Sequence, residues 1–342
     1  MRNLEKQYSR YVKKILSRKI PDKNLKYSFI ITLCFIAAGI CVYFIRHLNY
    51  SREYLLQKAN EYYSNEEHFH AARYFAKVIK LNVSEPDVYK RYGISLLKLG
   101  NYSLAEKYFR LVSSIDSYNE DSYYFLGDAL YRKALETNDK DTFLQAAEYI
   151  EKGIDLNPDS EKLYLLAGLC FRSVGLYEKA RDFYNKALMS NKFNKSGFYN
   201  LIGNTFDEEG NYKEAILYYE KAILHDNSFV VAFCNIGDMF AKMDNYESAV
   251  QNYQKALELD GNFIAPYIKI ANLYYDKNNF TESAKEALKA LKINPEDNNA
   301  NYILGMSYKQ LGKEKESLEY LKKAAFYGND KAVKEIKRQN VL

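Results

Sequence analysis

Tryptophan is absent from this chain of 342 residues, and there are only five prolines, four cysteines and four histidines. Four cysteines are too few for a disulfide-rich scaffold. The sequence contains no GxSxG, GxxxxGK[ST], HExxH or CxxC motif, and the histidines do not cluster. We therefore predict that the protein is not an enzyme, has no catalytic residues and binds no metal or cofactor.

The net charge of +5 is concentrated at the N-terminus. Residues 1–26 contain nine Lys and Arg against Glu5 and Asp22, which leaves 40 basic and 42 acidic residues in the remainder. A nearly neutral remainder lacks the basic surface that attracts a nucleic acid. We predict no nucleic-acid partner.

The stretch YSFIITLCFIAAGICVYFI, residues 27–45, carries no charge. As a helix it extends about 28 Å, enough to cross the hydrocarbon core of a membrane. A cleaved signal peptide is the main alternative, but the 26-residue leader is long and no small-x-small site follows the stretch. We predict one transmembrane helix acting as an uncleaved signal-anchor.

Basic residues before the span outnumber those just after it, so the positive-inside rule predicts a cytoplasmic N-terminus. The rest of the chain is then extracytoplasmic, in a single-pass cell-membrane protein for which we favour the bacterial inner membrane. Apolar residues at helical spacing in residues 1–20 allow a helix lying on anionic lipid. A solvated topology signal is the alternative.

A pattern recurs when the chain is shifted against itself by 34 residues. GNYSLAEKYFRLVSSID, GLYEKARDFYNKALMSN, GNYKEAILYYEKAILHD and DNYESAVQNYQKALELD begin at residues 100, 175, 210 and 244. A helical half, such as FYNLIGNTFDEE, precedes each copy. The repeated unit is therefore predicted to be two amphipathic helices joined by a tight turn.

This pattern resembles the tetratricopeptide repeat (TPR). The resemblance implies an all-α fold, a right-handed α-solenoid of about eight TPR helix pairs with a C-terminal capping helix. We predict a basic segment 1–26, the span 27–45, a connector 46–51, a solenoid 52–331 and a cap 332–342. Repeats one to eight are predicted at 52–85, 86–119, 120–160, 161–195, 196–229, 230–263, 264–297 and 298–331.

Small residues occupy two positions at which the helices of a repeat must approach closely. The eighth position holds Gly or Ala, and the twentieth holds Ala in six repeats. Large residues surround them, with an aromatic residue common at the fourth and twenty-fourth positions. Much of the tyrosine content is therefore assigned to packing.

Two repeats depart from the pattern. Repeat three is seven residues longer, around RKALETNDKDT, so both of its helices can lengthen, and Thr142 with Gln145 suggests a capping box. Repeat eight has Asn301 where an aromatic residue is expected. Cys170 and Cys234 lie in different repeats and are predicted to be buried free thiols.

The family resemblance implies a concave groove that binds peptides. The second, fifth, sixth, ninth and twelfth positions of the first helices commonly contact an extended or helical segment. In repeats three and four the groove is predicted to be apolar, and in repeats five to seven polar. The candidate peptide-binding residues are Tyr124, Phe125, Tyr131, Leu165, Leu166, Leu169, Asn200, Asn204, Asn235, Asp238, Lys269 and Asn272.

We therefore predict a membrane-anchored scaffold that binds peptide segments or helices of envelope proteins. The alternative is an organelle import or chaperone-docking receptor with cytosolic repeats. Some family members grip a C-terminal carboxylate with Lys and Asn side chains. Asn204, Asn235 and Lys269 match that clamp, but Asn200 and Ala265 stand where lysines are expected.

Overall fold

A computed structural model describes residues 40, 51–81 and 85–339. The predicted basic segment 1–26, the predicted span 27–45 except Ile40, and connector residues 46–50 lie outside the described residues. Within the described part of the chain, no helix is both long and apolar enough to cross a membrane. The same residues contain helices and turns but no strand.

The chain divides into two blocks, one ending at Ile115 and the other beginning at Asp116. The first block contains helical residues 51–64 (α1) and three further helices. These are α2 (His68–Ile79), α3 (Pro86–Lys98) and α4 (Tyr102–Ile115).

The second block is an α-solenoid of successive helix pairs closed by one further helix. Each helix packs against the next one along the chain. Its first six helices are α5 (Glu120–Thr137), α6 (Lys140–Leu156), α7 (Glu161–Ser173), α8 (Tyr177–Leu188), α9 (Lys195–Glu208) and α10 (Tyr212–His225). The others are α11 (Val230–Lys242), α12 (Tyr246–Leu259), α13 (Ile264–Asp276), α14 (Phe280–Ile293), α15 (Asn298–Gln310), α16 (Glu314–Phe326) and α17 (Asp330–Gln339).

The glycine at the eighth position of a repeat lies directly under the aromatic ring of the second helix. A Cβ atom on Gly203 would lie 2.5 Å from Cε1 of Tyr219, and a Cβ on Gly237 would lie 2.5 Å from Cε1 of Tyr253. Such distances are far below a van der Waals contact. Because these positions are glycine, α9 can pack against α10, and α11 against α12, as closely as the structure shows.

The turn between the two helices of repeat five explains its Gly-Asn signature. Gly210 has φ +80°, the left-handed conformation that favours glycine. The Asn211 N–H donates to Phe206 O at 2.8 Å, and the Gly210 N–H donates to Asp207 O at 2.9 Å. This pair of bonds is a Schellman motif, which satisfies the last carbonyls of α9.

The longer third repeat extends its helices, as the sequence indicates, to 18 residues in α5 and 17 in α6. The predicted Thr142–Gln145 capping box is wrong, because α6 begins earlier. Asp139 is its N-cap and accepts a hydrogen bond from Asp141 N at 3.2 Å. Thr142 donates its hydroxyl to the same carboxylate.

The last helix, α17, covers the apolar surface of α16. It begins two residues before the predicted cap, and residues 340–342 lie outside the described part of the chain. Ala332 is fully buried, and Ile336 packs on the cluster that contains Leu321. Lys309 forms an ion pair with the buried Glu335. The end of the array is therefore held by both apolar and ionic contacts.

Candidate functional site

The apolar part of the predicted groove lies on the first helices of repeats three and four, α5 and α7, which contact each other. Leu165 is 37% exposed, and Tyr124, Phe125, Tyr131 and Leu169 are half-buried. These five residues present apolar surface that neither helix pair encloses completely. We call them the apolar groove.

Leu166 does not belong to the apolar groove, because it is only 6% exposed. On α7, Leu163, Leu166, Ala167 and Cys170 are all buried. Their spacing of three and four residues forms the stripe that a helix turns toward its core. The assignment of Leu166 to a solvent-facing position is therefore corrected.

Aromatic and charged side chains hold the rim of the apolar groove. The rings of Tyr124 and Phe125 lie edge to face, with centroids 5.3 Å apart. Lys162 Nζ lies 4.5 Å from the centroid of Tyr124 and 2.6 Å from a carboxylate oxygen of Asp121. Burial raises the pKa of Tyr124, so its hydroxyl stays protonated at neutral pH. The rim thus combines a phenol, an ammonium and a carboxylate around apolar surface.

The polar part of the predicted groove is largely occupied by internal hydrogen bonds. Asn235 Nδ2 donates to Asn200 Oδ1 at 2.9 Å, and Asn200 is itself buried. Lys269 Nζ donates to the Asp238 carboxylate at 2.8 Å. Asn272, by contrast, is exposed. Of these residues, Asn272 is the one left free to meet a ligand without first breaking a contact.

In repeats five and six, the ninth residue accepts a hydrogen bond from the tyrosine at the twenty-fourth position. Tyr219 OH donates to Asn204 Oδ1 at 2.9 Å, and Tyr253 OH donates to Asp238 Oδ1 at 2.7 Å. Burial is the main cause that raises the pKa of both tyrosines. Asn204 and Asp238, the ninth residues of these two repeats, therefore satisfy buried hydroxyls rather than stand ready for a peptide.

Repeat four lacks this acceptor, because Leu169 occupies its ninth position. The hydroxyl of the fully buried Tyr184 has no hydrogen-bond partner among the described residues. The substitution of leucine for asparagine or aspartate is the sequence signal for this difference. It also makes the groove apolar at this repeat.

Ion pairs link the first helices of successive repeats. Arg172 lies 3.0 Å from a carboxylate oxygen of Glu208, and Lys242 pairs with Asp207. In each case a twelfth-position residue meets the thirteenth-position residue of the next repeat. These pairs position neighbouring repeats along one edge.

Cys170 and Cys234 are buried free thiols, as predicted. Burial raises the pKa of both, that of Cys234 to about 12, so neither is ionised near neutral pH. Among the described residues, no group of three or more His, Cys, Asp and Glu is placed to hold a metal ion. His68 and His70 pack against different tyrosines, Tyr63 and Tyr62.

Family models described as tetratricopeptide repeat match most of the helical region. One matches residues 56–120, 139–195 and 268–331, which together exceed half of the chain. Two others match residues 230–263 and 196–227. The chain belongs to the tetratricopeptide repeat family. The predicted family is confirmed, and TPR folds serve as scaffolds for protein–protein interaction.

Two curated relatives of the TPR protein match it over part of their length. The uncharacterized protein ycf37 of Guillardia theta is 35% identical over 91 residues, which are 25% of this chain and 51% of that protein. The BBSome complex member BBS4 homolog of Drosophila melanogaster is 30% identical over 148 residues, 42% of this chain and 30% of that protein. The chain thus spans about half of the first and less than a third of the second.

Solved structures with similar folds include MamA and YrrB. The crystal structure of MamA has a TM-score of 0.41 at 24% identity and covers 48% of this chain and 96% of that chain. YrrB, described as a TPR protein with an unusual peptide-binding site, has a TM-score of 0.40 at 25% identity. That match covers 56% of this chain and 99% of YrrB.

Proposed function

We propose that this TPR protein is a membrane-anchored scaffold whose apolar groove binds a peptide segment or helix of an envelope protein. The observation that carries the proposal is the apolar groove itself. Its five members lie on two adjacent first helices and keep apolar surface exposed, with Leu165 at 37%. Exposed apolar surface of this kind marks interaction sites in soluble domains.

The chemistry of the groove favours an amphipathic occupant. Side chains of the occupant that point into the groove would pack on Phe125, Leu165 and Leu169. Those that point to the rim would meet Lys162 and Asp121, both partly exposed, whose Nζ and Oδ1 atoms are 2.6 Å apart. An apolar floor with polar groups at the edge is the arrangement by which helix-in-groove recognition works.

The membrane attachment in this proposal rests on the sequence. Residues 27–45 form an uncharged stretch long enough to cross a bilayer, and basic residues precede it. We propose that this anchor keeps the TPR solenoid at the extracytoplasmic surface of the cell membrane. A tethered scaffold meets its partners at a high effective concentration in the plane of the membrane.

Site-specific photocrosslinking in native membranes tests the occupant of the groove. Benzoylphenylalanine at Leu165 is expected to give a defined crosslinked product, because that side chain faces the bound segment. The matched control places it at Leu224, which is 83% exposed but lies on a second helix, α10. The product is then identified by mass spectrometry.

The crosslink must also depend on the groove. Phe125→Ser removes an apolar contact worth about 1.5–3 kcal/mol and should reduce the Leu165 product at least about tenfold. Circular dichroism and thermal melting check that the variant remains folded. Equal products from Leu165 and Leu224, or a product unaffected by Phe125→Ser, would contradict the proposal.

A further inference from the structure

A cavity of about 660 Å³ lies between α14, α15 and α16, in repeats seven and eight. Leu288, Leu291, Tyr320 and Tyr327 form its apolar walls. The volume falls in the range of about 300–1,000 Å³ that is typical of ligand pockets. None of the twelve residues of the predicted groove lines this cavity, so it is a separate feature of the molecule.

Four lysines surround the cavity: Lys285, Lys289, Lys292 and Lys323. Three of them form ion pairs along their own helices, with Glu282, Glu286 and Glu319. The pairs of Lys285 and Lys323 are exposed, whereas the side chain of Glu286 is largely buried. The two exposed pairs are weak and exchange partners easily. Lys292 has no ion-pair partner among the described residues. The opening of the cavity is therefore suited to acidic groups.

The cavity lies where repeat eight departs from the other repeats. Asn301 lines it, at the fourth position, which holds an aromatic residue in repeats two to seven. In repeats three and seven the tyrosine at this position donates to the carbonyl six residues earlier, Tyr123 to Ser117 and Tyr267 to Gly261. Asn301 Nδ2 makes the corresponding bond to Pro295 O at 3.0 Å. The asparagine thus keeps the hydrogen bond but omits the ring.

One atom at this position has no hydrogen-bond partner. Asn301 is 1% exposed, and its Oδ1 is buried without a donor. The amide cannot gain by flipping, because Nδ2 donates to both Pro295 O and Asp297 O, at 3.0 and 2.8 Å. A buried acceptor without a donor is unfavourable, so a donor that reaches this atom is stabilised there.

We propose that this cavity is a second docking site, which receives a tyrosine side chain from an acidic segment of a partner protein. The phenol ring fills the space that an aromatic residue of the repeat fills elsewhere. Its O–H supplies the donor that Asn301 Oδ1 lacks, after a small displacement of the side chains that cover this atom. Aspartate and glutamate residues beside the tyrosine pair with Lys292 and its neighbours. The site acts independently of the apolar groove.

Binding of a defined peptide to the full-length chain tests this site. The probe is fluorescein-labelled Glu-Asp-Tyr-Asp-Glu, blocked at its C-terminus, and fluorescence anisotropy reports binding. Affinity should fall as salt is added, because the lysines are exposed. Replacing the tyrosine of the probe with phenylalanine should weaken binding about fivefold, since the hydrogen bond to Asn301 is lost.

Variants locate the binding in the cavity. Asn301→Tyr fills the space from within and should weaken binding at least about tenfold. Lys289→Glu with Lys292→Glu should do the same, and these exposed positions keep the test valid if Asn301→Tyr fails to fold. The matched control is Lys322→Glu, on the same helix as Lys323 but outside the cavity, which should change affinity less than about twofold.

Several results would overturn the proposal. One is absence of binding at millimolar peptide. Another is binding that survives both Asn301→Tyr and the double lysine variant. Loss of binding in Phe125→Ser with Leu165→Ser would show that the peptide sits in the apolar groove instead. N-acetyltyrosinamide that binds as tightly as the peptide, without salt dependence, would identify a small-molecule pocket.

Discussion

Two glycines on the same helix, α9, should respond to alanine in opposite ways. At Gly203 a new Cβ would lie 2.5, 2.7 and 3.0 Å from three ring atoms of Tyr219. At Gly197 the nearest neighbour would be Asn194 Cγ, at an ordinary 3.7 Å. Both backbones are helical, so the difference between the two variants isolates the ring contact.

The magnitudes decide the sign at each position. Alanine gains up to about 1 kcal/mol over glycine within a helix. Overpacking a closed contact costs about 1–3 kcal/mol. With the full gain subtracted, Gly203→Ala should therefore lower the free energy of unfolding by up to about 2 kcal/mol, whereas Gly197→Ala should raise it by less than about 1 kcal/mol.

Urea unfolding followed by circular dichroism measures both variants. Because each repeat contacts mainly its neighbours, Gly203→Ala should also broaden the transition. Adding Tyr219→Leu to Gly203→Ala removes the ring and should abolish the specific penalty of the alanine, a coupling that a double-mutant cycle measures. If Gly203→Ala is as stable as Gly197→Ala, the close approach of glycine and ring does not determine the spacing of these helices.

The remaining predictions concern the buried tyrosines, Cys234 and the membrane topology. Tyr253→Phe removes the donor to Asp238 and should destabilise the protein by about 1–3 kcal/mol in the same urea assay. Tyr184→Phe removes a hydroxyl without a partner and should be nearly neutral. Equal losses would contradict the pairing of the ninth and twenty-fourth positions. Cys234 should resist iodoacetamide at pH 8 in the folded protein and react in urea, because its pKa is raised to about 12. Mass spectrometry of the modified peptides distinguishes it from the other cysteines. Rapid labelling of Cys234 in the folded protein would refute its burial. A cysteine placed at the exposed Lys313 should react with an impermeant thiol reagent in intact cells, whereas one near the N-terminus should not; the reversed pattern would place the repeats in the cytosol.

The repeat pattern predicts much of the fold because periodic apolar and small residues report helix packing directly. Gly203, Gly237 and Ala215 are examples: each lies at a predicted close approach and is buried. The groove was harder to predict. Leu165 and Leu166 are adjacent leucines, and only the rotation of α7 within its neighbours determines that one is exposed and the other buried.

The polar groove residues show a different limit of sequence reasoning. Asn204 and Asp238 look like ligand-binding groups when their own helix is considered alone. Each is engaged by a tyrosine fifteen residues later, on the facing helix. The sequence does carry a sign of this pairing, because repeat four has Leu169 at the ninth position and its Tyr184 hydroxyl makes no such bond. Recognising it requires knowing that the tyrosine hydroxyl spans the helix pair.

The ion pairs between repeats also constrain the order in which the repeats follow one another. The contact of Gly203 with Tyr219 lies within one repeat and would survive if that repeat were copied or moved as a whole. The pairs of Arg172 with Glu208 and of Lys242 with Asp207 cross the boundaries on either side of repeat five. Deleting that repeat would set Arg172 opposite Lys242, two cations where each now has an acidic partner. At these two boundaries the charges therefore fit the present order of repeats that otherwise share the same packing positions.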